Sequence, residues 1–332
     1  MKRVFFIVGP TATGKSEIAA EVASASGAEV ISADAYQLYD GLDLLTAKPH
    51  AATLAKAAHH LMGDFPLTEA MNAEKFRVAA LDAIEEIQGR GKSVIVVGGS
   101  GLYVKALTHG LAPLPKVDHE LRARLGELTL DELYARLDQV DPGAAKTIDR
   151  KNKRRLVRAL EICSVTERPV SQQRTQWNSI VAAAVAGGRD ARGAETPLSS
   201  AETAAATTTA AATTMSGVFL FRDRADLAQR IDQRVEAMFA NGVVDEVQRV
   251  SEFGETAAKT LGFQQVRDLI AGKLSERECI TAIQQATRRY AKRQLTWFRR
   301  QTTFEPLNLS LHGTSAAIEW ICQKARLSLA HD

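Results

Sequence analysis

Residues 9–16 read Gly9-Pro10-Thr11-Ala12-Thr13-Gly14-Lys15-Ser16, a G-x-x-x-x-G-K-S loop. The apolar run Val4-Phe5-Phe6-Ile7-Val8 enters it, and a helical pattern from Glu17 to Ser24 leaves it. A strand, a glycine-rich turn and a helix in that order make a P-loop. Glycines let the backbone turn tightly enough for successive N–H groups to face phosphate oxygens. The helix that follows contributes its positive N-terminal end. Lys15 then supplies a mobile cation for the outer phosphate, and the Ser16 hydroxyl is placed to hold Mg2+. The loop predicts an α/β fold, a P-loop NTPase-like parallel sheet flanked by helices, with a diphosphate or triphosphate as ligand.

The chain has 332 residues, more than one ordinary core uses, so two domains or one domain with a large insertion are expected. Cys163, Cys279 and Cys322 are odd in number and widely separated, without C-x-x-C spacing. That pattern argues against disulfides and zinc and suits a reducing cytoplasm. Only five apolar residues separate Met1-Lys2-Arg3 from the loop, too few for a secretory signal, and no apolar run is long enough to span a membrane. The expected chain is therefore a cytoplasmic monomer with no membrane partner. Net charge is only +3, so the placement of basic residues carries more information than their sum.

Strand and helix signals alternate through the first third. Glu29 to Ala33 and Ser93 to Val97 read as strands, and Lys75 to Gln88 as an amphipathic helix with Phe76, Ala80, Ile84 and Ile87 on one face. In parallel sheets ligands sit at the carboxyl ends of strands, so residues that immediately follow strands are the candidates. The pattern changes at Pro113-Leu114-Pro115. From Asp118 to about Trp177 the chain is helical and rich in Arg and Lys. Val181 to Ser216 is mostly Ala, Thr, Gly and Ser without a hydrophobic period and is expected to be disordered or loosely helical, with no assigned function. Val218 to Phe221 reads as a late strand, after which helical patterns run to the end. The expected organisation is a P-loop core at 1–112, an inserted all-helical domain at 113–180, a low-complexity linker at 181–216 and completion of the core at 217–332.

Asp34 directly follows the second strand, where it could ligate magnesium, act as a general base or cap a turn. The third strand ends in Gly98-Gly99-Ser100-Gly101 with no carboxylate, unlike the metal-binding acid of phosphoryl-transferring ATPases. Its glycines and the Ser100 hydroxyl suit close approach to a ligand. Two basic clusters follow. Lys146, Arg150, Lys151, Lys153, Arg154, Arg155 and Arg158 form one, opposed locally only by Asp149. The other lies on a helix over residues 288–300, where six basic side chains fall within an arc of about 140°. No acid interrupts either the 150–158 run after Asp149 or the 288–300 segment. Both faces read as polyanion-binding, and the aromatics of the second as core contacts. Arg230 and Arg234 are one helical turn apart, after Arg224, in the segment that follows the late strand.

These residues resemble the tRNA dimethylallyltransferases (tRNA isopentenyltransferases). The likeness is carried by G-P-T-A-T-G-K-S at 9–16, I-S-A-D at 31–34 with Gln37 and Tyr39, and T-A-K-P at 46–49. It continues through H-H-L at 59–61, V-G-G-S-G-L-Y-V-K-A-L at 97–107, R-A-L-E at 158–161 and R-R-Y-A-K-R-Q-L-T-W-F-R at 288–299. Four places depart from the family pattern: Ala35 for Ser, Leu45 for Gly, Ser100 for Thr, and a more basic 150–155 segment.

The resemblance implies transfer of a dimethylallyl group from dimethylallyl diphosphate to N6 of the adenosine 3′-adjacent to the anticodon, with Mg2+ as cofactor. It implies that Asp34, Lys15 and Ser100 are catalytic and that Ser16 meets the metal. Gly9, Pro10, Thr11, Ala12, Thr13, Gly14, Lys15, Ser16 and Arg230 would hold the diphosphate. The tRNA anticodon stem-loop would meet Asp34, Ala35, Tyr36, Gln37 and Ser100. It would also meet Arg154, Arg155, Leu156, Val157 and Arg158 on one basic face, and Lys292, Arg293 and Arg299 on the other. The residues alone leave two other readings open, a P-loop kinase for a small molecule or nucleotide and a non-catalytic P-loop RNA-binding protein.

Overall fold

A computed structural model describes residues 4–111, 115, 118–173 and 215–329 of the protein. Six strands form one sheet: β1 (Val4–Val8), β2 (Glu29–Ser32), β3 (His59–His60), β4 (Val94–Gly98), β5 (Ser216–Phe221) and β6 (Glu305–Asn308). Their order is β3-β2-β4-β1-β5-β6, and each neighbouring pair is parallel. β1 and β4 are buried along their whole length. Continuous apolar runs such as Val-Phe-Phe-Ile-Val suit such strands, because helices cover both faces of a parallel sheet.

Successive side chains of a strand alternate between faces. Phe6, Val8, Ile31, Val94, Val96 and Phe219 enter one core, with Phe76, Ile84 and Ile87 from α3 (Ala73–Gly89). Phe5, Ile7, Val30, Ile95, Val218 and Leu220 enter the other, with Ile18 and Val22 of α1 (Lys15–Ser26). The short helix α2 (Ala51–Leu54) precedes β3. The predicted α3 face of Phe76, Ala80, Ile84 and Ile87 is the buried one. Asn72 starts that helix by accepting the Glu74 and Lys75 N–H groups.

The chain divides into two compact units, Met1–Leu107 with Thr213–Asp332, and Thr108–Ala212. The first also contains α4 (Gly101–His109) up to Leu107 and, in its later part, α10 (Arg224–Ala240), α11 (Val243–Gln248), α12 (Phe263–Ile270), α13 (Glu276–Gln301) and α14 (Thr314–Leu329). The described part of the second carries α5 (His119–Glu127), α6 (Leu130–Val140), α7 (Pro142–Thr147), α8 (Lys153–Thr166) and α9 (Val170–Gln173). Leu133, Leu137, Leu156, Leu160 and Ile162 are in its core. Glu161 is fully buried there, held by Arg122, Arg158 and the Asp118 N–H. The Ala/Thr-rich tract and Trp177 lie outside the described residues, apart from Met215 and Ser216.

The expectation of helices alone after Phe221 needs correction. β6 pairs with β5 from Val218↔Glu305 to Phe221↔Asn308 and closes one edge of the sheet. Its sequence, Glu305-Pro306-Leu307-Asn308, has no β-branched residue, and Pro is tolerated only because this is an edge strand. Ser216 belongs to β5, so that strand starts two residues before the predicted Val218. At the opposite edge β3 has only two residues, too few for a periodic signal.

Glu29, at the start of β2, is 4% exposed and receives Lys92, His60 and Arg90. The Lys92 bond, then those from His60 and Arg90, hold its carboxyl at about 2, below the usual 4.5. A carboxylate with a depressed folded pKa stabilises the fold above its unfolded pKa and loses that contribution as pH falls through the folded value. Stability should therefore fall between about pH 4.5 and 2, and Glu29→Gln should flatten this part of the profile. Urea denaturation at stepped pH measures it, and an unchanged slope in Glu29→Gln would refute the assignment.

Candidate functional site

The parallel register sends the chain segments after β1, β2 and β4 out of the same edge of the sheet. Val8 lies opposite Gly98 and Phe219, and Ser32 opposite Val97. The P-loop, Asp34 and the Gly98–Gly101 turn thus become neighbours. The Ala33 N–H donates to the Val97 carbonyl at 2.7 Å, the Ser100 N–H to the Ala33 carbonyl at 3.2 Å, and the Ala35 N–H to Ser100 Oγ at 2.9 Å.

Ala12 and Gly14 both have left-handed backbone, with φ of 64° and 92°. Such a conformation costs a non-glycine residue about 1–2 kcal/mol, so the loop must be held from outside. Arg230 Nε donates to the Ala12 carbonyl at 3.0 Å, and Arg222 Nε to the Thr13 carbonyl at 2.9 Å. Gln294, on α13 and 5% exposed, uses both ends of its amide. Its Oε1 accepts the Thr11 N–H at 2.9 Å, and its Nε2 donates to the Gly99 carbonyl at 2.8 Å.

The Gly98–Gly101 turn has protein groups packed closely against it. A Cβ on Gly98 would meet the Ala33 carbonyl at 2.2 Å, one on Gly99 the Gln294 amide at 2.4 Å, and one on Gly101 the Trp297 ring at 2.4 Å. The glycines admit neighbouring protein groups, and Gly98 also lines a cavity. Ser100 is buried, with Oγ accepting the Ala35 N–H. It ties the Asp34 loop to β4.

A cavity of about 920 Å³ lies over this edge, lined by Thr11, Ala12, Gly14, Lys15, Ser16, Asp34, Gln37, Arg230 and Arg234. Burial presses the Lys15 ammonium down to about 8, opposed by Asp34 and reinforced by Arg234. Lys15 Nζ donates to the Pro10 carbonyl at 3.2 Å. Arg234 is also pressed down by burial, with Asp34 and Glu17 opposing, and its buried Nε has no hydrogen-bond partner. A buried guanidinium nitrogen without a partner is costly, and an oxyanion in the cavity would satisfy it. Sequence reading singled out Arg230. Arg234, one turn on, is the deeper of the two, while Arg230 is exposed and committed to the loop carbonyl. Arg222 was missed, although it directly follows a strand at the ligand-bearing edge. Tyr290 was read as a core contact, yet it lines a small adjoining cavity with Asp34 and Tyr36.

The ion expected at Ser16 has a fitting set of donors. Ser16 Oγ and the Asp34 carboxylate border the same cavity, and no group of three His, Cys, Asp or Glu placed for a metal exists among the described residues. A hard cation that keeps several waters and shares phosphate oxygens needs no larger protein cage.

The residues proposed for RNA separate into exposed and occupied ones. Lys292, Arg293 and Arg299 are exposed on α13, with Arg293 over the Tyr290 ring and Arg299 over the Phe221 ring. Arg288, on the same face, is tied to Asp232. Arg154 and Arg155 are exposed on α8, whereas Leu156 and Val157 are buried in its core and Arg158 is bound to Glu161. The side chains of Leu156 and Val157 are thereby withheld from any external ligand. Gln37 Nε2 donates to the Thr46 and Ala47 carbonyls and holds that loop. Leu45 is buried among Phe263, Val266 and Ile283.

A family model described as IPP transferase matches residues 37–301. The chain belongs to this family. A tRNA dimethylallyltransferase of Citrifermentans bemidjiense is 37% identical over 300 residues, 89% of this chain and 89% of the relative. One of Geobacter sulfurreducens is 38% identical over 306 residues, 90% of this chain and 89% of the relative. The crystal structure of the full-length tRNA isopentenylpyrophosphate transferase of Bacillus halodurans matches with a TM-score of 0.66 at 28% identity, covering 99% of this chain and 97% of that one. Like those relatives, this IPP transferase family member is a prenyltransferase with a P-loop NTPase-like sheet.

Gln294→Leu would leave the Thr11 N–H and the Gly99 carbonyl without their partner. Loss of such bonds costs about 1–3 kcal/mol, and urea denaturation should show a drop of that size. An unchanged midpoint at unchanged slope would mean that water replaces both bonds.

Proposed function

We propose that this chain transfers a dimethylallyl group from dimethylallyl diphosphate to N6 of the adenosine 3′-adjacent to the anticodon of tRNA. The observation that carries the reading is one cavity shared by a P-loop, a half-buried arginine whose buried Nε has no partner, and Asp34. β4 ends in Gly98, without the acid that a phosphoryl-transfer site places there. The P-loop then holds a leaving group, and no phosphoryl group moves.

In the transfer the C1–O bond of the donor breaks, and diphosphate departs with the electron pair. The adenine N6 forms the new bond to C1, and its proton passes to the Asp34 carboxylate. The P-loop N–H groups, Lys15 and Arg234 face the charge that develops on the departing oxygen. The loop backbone is fixed before the reaction by Arg222, Arg230 and Gln294, so little of it need reorganise. At neutral pH most of Lys15 carries its charge, since its pKa of about 8 is above 7. Ser16 would hold Mg2+ beside the P-loop, and the ion would supply neutralising charge for the leaving group. The adenine ring must leave its stack to reach Asp34. Ser100 and the Ala35 N–H fix the loop that carries this base.

Lys292, Arg293 and Arg299 on α13, and Arg154 and Arg155 on α8, hold phosphates of the anticodon stem-loop. Ala35 and Tyr36 flank the entering base. The protein acts as a monomer in the cytoplasm.

Two outcomes test this reading. Asp34→Asn keeps the shape of the side chain and removes the proton acceptor, so single-turnover transfer at saturating tRNA, donor and Mg2+ should slow by about 10²–10⁴-fold. A rate near wild type would remove Asp34 from the mechanism, and a strict need for ATP would replace the whole reading by a kinase. Neutralising Lys292 and Arg293 together should weaken stem-loop binding and lower the salt slope by about one to two. Fluorescence anisotropy over a salt series reads both, and an unchanged slope would make that face ordinary solvated surface.

A further inference from the structure

A second cavity of about 40 Å³ adjoins the large one, and Asp34 and Arg234 line both. Among the described residues three buried side-chain polar atoms have no hydrogen-bond partner: Arg158 Nη1, Arg234 Nε and Thr260 Oγ1. The first has Glu161 Oε2 2.9 Å away. The other two belong to residues that line the small cavity. A buried polar atom without a partner is costly, and such atoms are normally met by protein or by ordered water. Arg234 also borders the diphosphate site, where an oxyanion can meet its nitrogen. Thr260 lines the small cavity alone, so its hydroxyl must find its partner there.

Thr260 is 4% exposed, and its backbone is committed on both sides. Its N–H donates to the Ala257 carbonyl at 2.9 Å, closing a 3-10 turn at Ala257–Lys259, and its carbonyl accepts the Phe263 N–H at 3.0 Å. The side chain is thereby fixed at the cavity wall. Thr46 and Thr287 also line the cavity, but their hydroxyl protons are spent on the Leu42 carbonyl at 2.6 Å and the Ile283 carbonyl at 2.8 Å. They offer lone pairs only. Asp34 brings a carboxylate whose Oδ1 accepts the Tyr36 N–H at 3.0 Å. Burial, and after it the Asp34 charge, raises the pKa of both the Tyr36 and Tyr290 phenols, whose residues line the same cavity. The space holds about three waters, and a buried water needs two to four polar partners. Thr260, Asp34 and the lone pairs of Thr46 and Thr287 supply them.

Taking Asp34 as the base of the proposed transfer, we infer that Thr260 is a positioning residue for Asp34, acting through water held in the small cavity. The water accepts from the Thr260 hydroxyl and donates to the Asp34 carboxylate. The Tyr36 N–H anchors that carboxylate at Oδ1, and the water holds it from a second direction. Two anchors fix the plane of the carboxylate, so it meets the adenine amine in one orientation. Thr260 itself touches neither the donor nor the base.

The test measures single-turnover transfer at saturating tRNA, donor and Mg2+ in Thr260→Val, in Thr260→Ser, and in Thr260→Val combined with Asp34→Asn. Thr260→Val keeps the branched shape and removes the hydroxyl. Its rate should fall about tenfold, the equivalent of one hydrogen bond, with donor and stem-loop affinities unchanged. Thr260→Ser should restore the rate. In the Asp34→Asn background the same change should cost nothing further, because the group it positions is gone. A wild-type rate in Thr260→Val, or an equal loss in both backgrounds, overturns the inference. A crystal structure of the unaltered chain tests it whether or not the variants fold. Ordered water should bridge Thr260 Oγ1 and the Asp34 carboxylate, and a dry cavity overturns the inference. If Asp34→Asn alone reacts at the wild-type rate, the base assignment fails and takes this inference with it. A slow Asp34→Asn beside an unaffected Thr260→Val defeats this inference alone.

Discussion

Parallel pairing of β2, β4 and β1 is the constraint on which the site depends. It forces three chain segments with little secondary structure to leave the sheet side by side, with Val8 level with Gly98 and Ser32 level with Val97. Those segments must then pack at backbone distance. Gly98 lies against the Ala33 carbonyl and Gly99 against the Gln294 amide, with no space for a Cβ on either. Backbone polar groups at such an edge need partners, since an unpaired buried one is expensive. Ser100 and Gln294 supply them, and in doing so fix where Asp34 and the P-loop stand.

The second organising effect is electrostatic. Lys15, Arg222, Arg230 and Arg234 converge on one loop, and two of these cations are strongly desolvated. Burial lowers the proton affinity of Lys15 and Arg234, while Asp34 works against that shift in both. Concentrated positive charge of this kind is unfavourable in the absence of an anion, and it suits the diphosphate of the proposed reaction. The arginines that grip loop carbonyls and the arginine left with an unpartnered nitrogen do different jobs. The first two stabilise a strained turn, and the last brings a buried, unpartnered Nε to the cavity.

Helix α13 joins the two requirements. Over 26 residues it presents Cys279, Ile283, Thr287, Ala291, Gln294 and Phe298 inward at helical spacing, and Lys292, Arg293, Arg299 and Arg300 outward. Gln294 follows two outward cations and reaches the P-loop. The same helix therefore carries an exposed basic face and braces the P-loop. In the second unit, the basic stretch on α8 divides likewise into exposed Arg154 and Arg155 and the core-facing Leu156 and Val157.

The central strands, the P-loop and the strand-end position of Asp34 were legible in the sequence, because each depends on local spacing. An apolar run, a glycine turn and a helix face are properties of adjacent residues. β6 was not legible, since Glu305-Pro306-Leu307-Asn308 becomes a strand only by pairing with β5. The difference between Arg230 and Arg234 was also invisible. Both lie on one helix turn, and only the packing of α10 against the loop decides which is the deeper. Tyr290 and Gln294 looked like parts of a basic helix, and contacts across 195 and 283 residues of chain give the glutamine its function. The sequence by itself determined the sheet type, the phosphate loop and the chemistry of its candidate residues. Only the tertiary structure decided which side chains those residues meet, because burial and hydrogen-bond partners are set by long-range packing that no local pattern encodes.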